Sequence, residues 1–386
     1  MLLDLTPDQE SLRDTTARFL ANNMPAGELR RLREDPAGYG DKYWRRGAEL
    51  GWTSLLVSEE SGGGTVSGRG LVDLTLIAYE FGRHGAPGPL VTCNVVAGAL
   101  NDEATGTHRE ELAGLLSGDS VASWCFTEPL HKGHDLDGLA LEIRTDGGDL
   151  VVDGVKRPAE SAGQADHLLV TGRSAEGLTQ VLVPTDAAGL SLEPMRTVDL
   201  TRRYCVARFD QVRVPARALV GEFGQAEEAV EHQLQRALVI LNAESVGAMQ
   251  RAFDMTLEWA FDRYSFGRPL ASYQELKHRF ADMKSWLEAS HATSDAAASA
   301  VEEVSPDAGE LVSVAKAFIG DYGAELLHDC VQMHGGIGLT FEHDLHIFLR
   351  RVIANRALFG TPAEHRQHIA DIVERVERVE LGEKPA

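Results

Sequence analysis

The hydrophobic period of this chain changes twice, and that double change excludes most folds built from one kind of element. Apolar residues recur at helical spacing over residues 1–117, run in short β-branched stretches over 118–221, and return to long helical repeats over 222–386. The expected fold is mostly α with a central β domain. An N-terminal helical domain precedes an antiparallel, β-barrel-like middle domain, and a C-terminal four-helix bundle follows.

Local signals support each zone. LTPDQESLRDTTARFLANN offers Thr6 as a cap and Pro7 in the first turn, with Leu12, Thr16, Phe19 and Leu20 on one face. DKYWRRGAELGW and GLVDLTLIAYEFGRHG carry stop signals at Gly51 and Gly82, and VTCNVVAGAL and THREELAGLLSG complete the helical set. In the middle, LEIRTDGGDLVVDGVKR predicts a hairpin about its Gly-Gly, and Gly172, Gly177, Pro184 and Gly189 read as turns. Farther on, Met249, Phe253, Leu257 and Phe261 predict a buried stripe. HATSDAAASAVEEV is alanine-rich enough for close packing, and LVSVAKAFIGDYGAELLHDCVQMHGG predicts a helix ending at Gly335-Gly336. In RALFGT, Gly360 breaks a helix and Thr361-Pro362 starts another.

Charge and cysteine usage narrow the function. The net charge of −22 argues against nucleic acid or an anionic membrane as partner, though not against an anion in a local positive pocket. Cys93, Cys125, Cys205 and Cys330 are scattered, so neither a metal site nor a disulfide framework is expected; buried thiols in a cytoplasmic, reducing setting fit better. MLLDLTPDQE does not have the form of a signal peptide, and no stretch is apolar enough to span a membrane.

Three motifs carry chemistry. SGGGTVSGRG (61–70) lacks the Lys-Ser/Thr of a phosphate loop, and without βαβ alternation a Rossmann site is not expected, so a surface loop is the reading. WCFTEP (124–129) opens the β zone. DRYSFGRPLASYQELKHRFADM gathers Arg263, Phe266, Gly267 and Gln274 at a helix corner, where a guanidinium suits a diphosphate and an aromatic ring suits another ring. VQMHGGIGLT sets Gln332 one turn before Gly335-Gly336, whose N–H groups allow close approach of a ligand.

In order and spacing, TEP, RxxFG with its following Gln, and QxxGG resemble the acyl-CoA dehydrogenase family of flavoproteins over essentially the whole chain, including VDLTRRYCVARFDQVRVP (198–215). The resemblance implies FAD lying between two subunits, and hence at least a dimer. It implies Arg263, Phe266, Gln274, Gln332, Gly335 and Gly336 at the diphosphate and adenosine end. It implies Phe126 and Thr127 along the flavin, and Thr361 on the cofactor of its own subunit. The implied reaction is α,β-dehydrogenation of an acyl-CoA thioester, with a carboxylate removing the α-proton and an electron-transfer flavoprotein reoxidising the flavin.

Against that pattern the chain departs in four places. The usual catalytic Glu position is Phe359, and the family's alternative position falls near Ala237, beside Gln235 and Arg236; Glu231 and Glu244 lie about two turns to either side. LHKGHD (130–135) replaces the small loop that receives the thioester, and KRPAESAG (156–163) replaces the Trp-Ile-Thr-like run over the flavin. Three readings remain open. One is an active FAD-dependent dehydrogenase with a displaced base. The second is a non-catalytic subunit that completes the FAD site of a second acyl-CoA dehydrogenase-like chain. The third is a flavin oxidase or monooxygenase on the same fold.

Overall fold

Thr6 caps the first helix as its sequence requires. Its hydroxyl accepts from Gln9 N–H at 3.3 Å, and Gln9 Oε1 accepts from Thr6 N–H at 3.1 Å, a reciprocal capping box. In this computed structural model, which describes residues 4–103, 106–130 and 132–380, six helices form the first zone. They are α1 (Pro7–Asn23), α2 (Ala26–Leu32), α3 (Asp41–Glu49), α4 (Gly70–His84), α5 (Leu90–Asp102) and α6 (Arg109–Ser117). Gly51, at φ +92°, follows the third helix as expected. Gly82 does not stop the fourth, which runs on to His84 and is ended by Gly85 at φ +60°. The stretch 61–70 is a loop tied down by buried Asp73, whose carboxylate accepts the Val66 and Ser67 N–H groups at 2.9 and 3.0 Å.

The middle zone holds β1 (Ala122–Cys125), β2 (Glu142–Asp146), β3 (Asp149–Glu160), β4 (His167–Arg173), β5 (Leu178–Pro184), β6 (Leu190–Pro194), β7 (Tyr204–Pro215) and β8 (Leu219–Val220). The predicted hairpin is β2–β3, turning at Gly147-Gly148. The sheet order is β6-β7-β3-β2-β4-β5-β8, with β1 beside β4. The central β domain is present as expected, and two features refine its antiparallel, barrel-like description. The described path ends at β6 and β8 without closing, and β4 is parallel to both β1 and β2. The parallel pairs arise where strands are not joined by hairpins, since β1 enters from α6 and β4 follows a crossover. Gly172 is not a turn but lies inside β4. A Cβ there would come within 2.6 Å of Leu141, so the glycine admits a tight neighbour. Pro158 is tolerated in β3 because it falls in the register irregularity between Lys156 and Ala159.

The third zone contains α7 (Glu227–Asp262), the short hairpin β9 (Tyr264–Ser265) and β10 (Arg268–Pro269), then α8 (Gln274–Glu302), α9 (Ala308–His334), α10 (Leu345–Ala357) and α11 (Pro362–Glu380). α7, α8 and α9 pack on one another, and α10 and α11 both pack on α9. The alanine-rich segment is buried at Ala297, Ala298 and Ala300. The stripe on α7 is buried at Met249 and Phe253, but Phe261 is 61% exposed. A spacing of four residues overshoots the helical turn by about 40° per step, so the stripe rotates out of the core. All four cysteines are free and buried. Among the described residues no helix is long and apolar enough to cross a membrane.

One buried ionic cluster joins the three zones. Arg351 on α10 donates to Asp199 and Glu244, each at 2.5 Å, to the Ala86 carbonyl at 3.0 Å, and to Thr201. Arg202 donates to Glu244 at 2.6 Å and to Asn355 at 3.0 Å, and stands 3.3 Å from Glu160. Burial alone would raise the Asp199 carboxyl, but Arg351 and Arg202 hold it below its ordinary value. Glu160 is raised by burial, and its Oε1 has no hydrogen-bond partner. A proton on Glu160 would balance two guanidinium groups against two carboxylates.

Glu244→Gln removes the charge shared by both arginines and should destabilise the chain by about 3–5 kcal/mol in thermal unfolding. Glu160→Gln should cost much less. Because folding raises the Glu160 pKa, the wild type should lose stability relative to Glu160→Gln as pH rises above the ordinary carboxylate range. Equal losses for the two variants would contradict this charge assignment.

Candidate active site

β1 leads into the segment 126–129, and its position is set from below by a buried lysine. Lys156 Nζ donates to the Phe126 carbonyl at 2.8 Å and to Glu128 at 2.6 Å. Glu128 also accepts the Ala140 and Leu141 N–H groups at 2.8 and 3.0 Å. Burial would raise the Glu128 carboxyl, but Lys156 and these donors hold it below its ordinary value, so it is a strut and not a poised base. The Thr127 carbonyl accepts from Arg157 N–H at 2.7 Å.

Phe126 is fully buried and stacks on Trp124 at 4.9 Å between centroids. Phe359, at the bend after α10, packs on the same pair, 5.4 Å from Trp124 and 6.3 Å from Phe126. Ring centroids this close are in direct contact. Phe359 has φ +54°, a left-handed conformation that a bulky side chain seldom adopts. Gly360 follows at φ +107°, and a Cβ on it would lie 2.7 Å from His365 Nε2. Thr361 caps α11, its N–H and hydroxyl both donating to Glu364, at 2.7 and 3.0 Å.

The loop after Pro129 closes on this bend. His131 lies outside the described residues, but Gly133 is so near that a Cβ on it would be 2.0 Å from the Gly360 nitrogen. His134 stacks beside His365 and His368 at 5.1 and 5.0 Å. His365 donates Nε2–H to the Phe359 carbonyl at 2.9 Å, so its Nδ1 accepts from the Ser313 hydroxyl at 3.2 Å. His368 Nδ1 is 3.1 Å from the same hydroxyl. Burial, then Lys316, pushes His365 down to about 3, which keeps the ring neutral. Beyond lies a cavity of 220 Å3, lined by His134, Glu231, Gln235, Ser313 and His368 among others.

Positions 359 and 237 hold no carboxylate. Ala237 is buried, Gln235 lines the small cavity, and Arg236 pairs with Asp102 at 2.7 Å. Glu244 is committed to Arg202 and Arg351. Glu231 is exposed at the rim of the cavity.

The residues assigned to the far end of a cofactor are all on the surface. Arg263 ends α7, with its guanidinium 5.8 Å from the Trp259 ring. Phe266 and Gly267, at φ +48° and +83°, form the tight turn between β9 and β10, and Phe266 is 97% exposed. Gln274 opens α8, and Gln332 lies in the last turn of α9 before Gly335 at φ +67° and Gly336; all four are exposed. Trp259 and His334 stack at 5.3 Å, which brings the ends of α7 and α9 side by side. Leu339, Phe261 and Tyr264 add exposed apolar surface here.

Sequence reasoning missed three parts of this arrangement. Lys156, within β3, was the available signal for the Lys156–Glu128 strut. The aromatic spacing of Trp259 and His334 from their motifs was the signal for their contact. The His134–His365–His368 cluster had none, because it depends on how the loop folds.

The two ends differ in their fit to a dinucleotide cofactor. At the ring end, Phe359 packs on Trp124 beside Phe126 and Gly133 meets Gly360, while Phe359 and Thr127 stay half-buried. At the far end, a guanidinium, an amide pair, an aromatic face and a Gly-Gly backbone are exposed together, a donor set that fits a diphosphate and an adenosine.

Three profiles of one family match in sequence order. The acyl-CoA dehydrogenase N-terminal, middle and C-terminal domains cover residues 6–119, 123–212 and 225–374. Acyl-CoA dehydrogenase IpdE2 of Mycobacterium tuberculosis is 29% identical over 367 residues, covering 93% of this chain and 96% of that protein. A solved variant of the Tcur3481-Tcur3483 steroid ACAD is 27% identical with a TM-score of 0.86, over 96% of this chain and 98% of its own. A glutaryl-CoA dehydrogenase from Mycobacterium smegmatis, solved in complex with FADH2, shares the fold at 19% identity and TM-score 0.82, over 96% and 95% of the two chains. The chain belongs to the acyl-CoA dehydrogenase family of flavoprotein oxidoreductases.

Proposed function

We propose that this chain serves an acyl-CoA dehydrogenase as the subunit that completes a partner's FAD site, with the chemistry carried out at the partner's flavin. The observation that carries this reading is the asymmetry between the two ends: Phe359 packs on Trp124 and Phe126 where a carboxylate is expected, while Arg263, Phe266, Gln332 and Gly335-Gly336 are exposed at the far end. FAD, when bound, takes up the hydride removed in α,β-dehydrogenation of an acyl-CoA thioester. The part of this chain is to hold the far end. Arg263 offers two parallel donors to a diphosphate, Phe266 a face to a ring, and Gln332 with Gly335-Gly336 amide donors. The exposed apolar side chains around them require a covering subunit. The partner supplies the carboxylate that Phe359 replaces and the docking of an electron-transfer flavoprotein. The name of the solved steroid relative supports bulky, ring-bearing acyl thioesters as the first substrates to try.

The chain purified alone should be colourless and inactive. Co-expression with acyl-CoA dehydrogenase-like chains of the same genome that keep Glu before Gly-Thr should give a yellow hetero-oligomer, followed by flavin absorbance and mass. One FAD per chain together with dehydrogenase activity in the chain alone would overturn the proposal and favour the homomeric enzyme.

In the coloured complex, Arg263→Ala removes a charge-assisted contact of about 1.5–3 kcal/mol and should weaken FAD retention roughly 10- to 100-fold. Unchanged retention would remove Arg263 from the site.

Phe359→Glu should destabilise the chain by about 1–3 kcal/mol and confer no dehydrogenase activity, because the Gly133–Gly360 contact stays closed. Activity gained by this single change would show an open pocket.

A further inference from the structure

A second cavity, of 740 Å3, shares no lining residue with the cofactor site. It lies where α1 and α2 meet α4, α7 and α10. That volume is in the range of small-molecule sites. One wall is apolar, made by Ala17, Ala21, Met24 and Leu29, and Met255, Ile347 and Phe348 face it across the groove. The charged lining is Arg13, Arg18, Arg83 and Arg251, with His84, against two carboxylates, Glu80 and Asp344. In a chain of net charge −22 this local excess of guanidinium groups runs against the general trend.

Much of that positive charge is not consumed inside the protein. Arg18 makes only a 3.3 Å contact to the Thr15 hydroxyl, and Arg251 makes no ion pair among the described residues. Arg13 is paired with its exposed neighbour Asp14 at 3.0 Å, a kind of contact that holds little energy. Arg83 reaches Asp254 at 3.3 Å, and Asp344 is taken by Arg30. An apolar trough edged by arginines suits a ligand with an aliphatic body and an anionic head.

We propose that this groove is a binding site for an amphipathic anion, a long-chain carboxylate or an acyl chain bearing phosphate, whose tail lies along α1 and α10 and whose head is held by Arg18 and Arg251. Occupancy would bridge the N-terminal helices to the bundle. Glu80, 5% exposed on the groove floor beside His84, opposes the ligand's charge when ionised. Burial pushes its carboxyl up to about 7, so the competing charge disappears on mild acidification. The other titratable groups lining the groove are Asp344, the four arginines, His84 and Tyr79, with Asp14 and Asp254 behind them as the partners of Arg13 and Arg83. Burial lowers His84 and raises Tyr79, so both are neutral near pH 7.

Isothermal titration of the full chain with dodecanoate, dodecanoyl-CoA and uncharged dodecanol tests this. Dodecanoate should bind saturably, more tightly at pH 6 than at pH 8, and dodecanol should bind at least tenfold more weakly. Arg18→Ala and Arg251→Ala should each weaken dodecanoate about tenfold, whereas Glu80→Gln should tighten it and abolish the pH dependence. Tighter binding of dodecanoyl-CoA through the same arginines would identify the phosphate-bearing source, and preference for dodecanoate the free acid. Equal binding of dodecanol, or binding indifferent to all three substitutions, would overturn the proposal. Because Glu80→Gln is expected to act in the opposite direction, misfolding cannot imitate the predicted pattern.

Discussion

Glu244 is the point on which the three zones are aligned. Its two carboxylate oxygens accept from Arg351, Arg202 and Asn355, which sit on α10, at the entrance to β7, and on α10 again. The same stretch of α7 is where α4 crosses most closely. A Cβ on Gly82 would be 1.8 Å from the Glu244 carbonyl, and one on Gly247 would be 1.9 Å from the Tyr79 carbonyl. Two glycines therefore bring the backbones of α4 and α7 together at the level of the ionic cluster. Burying charges costs desolvation that the pairing largely offsets, so the cluster is a weak source of net stability. Its effect is positional, because Glu244 can meet both arginines at once only while α10 keeps its place along α7. The bend at 358–361, one residue beyond α10, inherits that fixed position.

From that alignment follows the contrast between the two ends of the cofactor path. α10 delivers Phe359 onto Trp124 and Phe126, and the sheet holds those rings in place through Lys156 and the parallel pairing of β1 with β4. At the other end the helices simply stop, and Phe266, Leu339 and Tyr264 project outward. Apolar exposure of this density around a cationic corner is what a covering subunit would remove from water.

Most of the architecture was legible because it depends on local period and on punctuation. Thr6, Gly51, Gly335 and Thr361-Pro362 mark element ends through backbone conformations or hydrogen bonds that a few neighbours decide. Gly82 and Gly172 were misread for a common reason. Glycine serves turns and close approaches alike, and only the tertiary neighbour, Glu244 in one case and Leu141 in the other, distinguishes them. Sheet closure was equally hidden, since it depends on how nonlocal strands pair. At the site, the exposed RxxFG and QxxGG corner could be read from its residues, because surface motifs keep their meaning without a packing partner. The closure of Gly133 on Gly360 could not, because it joins segments more than 200 positions apart.

That closure gives Phe359 its significance. A carboxylate at 359 would need a neighbouring space for substrate, a loop held away from Gly360, and no aromatic ring competing for Trp124. The chain has changed all three together: a phenylalanine at the bend, a glycine in the loop that can touch the bend, and histidines stacked behind it. Each change favours the others. The aromatic ring packs on Trp124 and Phe126, and the loop meets the bend beside it at Gly360. On the function proposed above, the phenylalanine at 359 is one part of a consistent arrangement, in which it packs on Trp124 and Phe126 while the surface half-site is left free to bind.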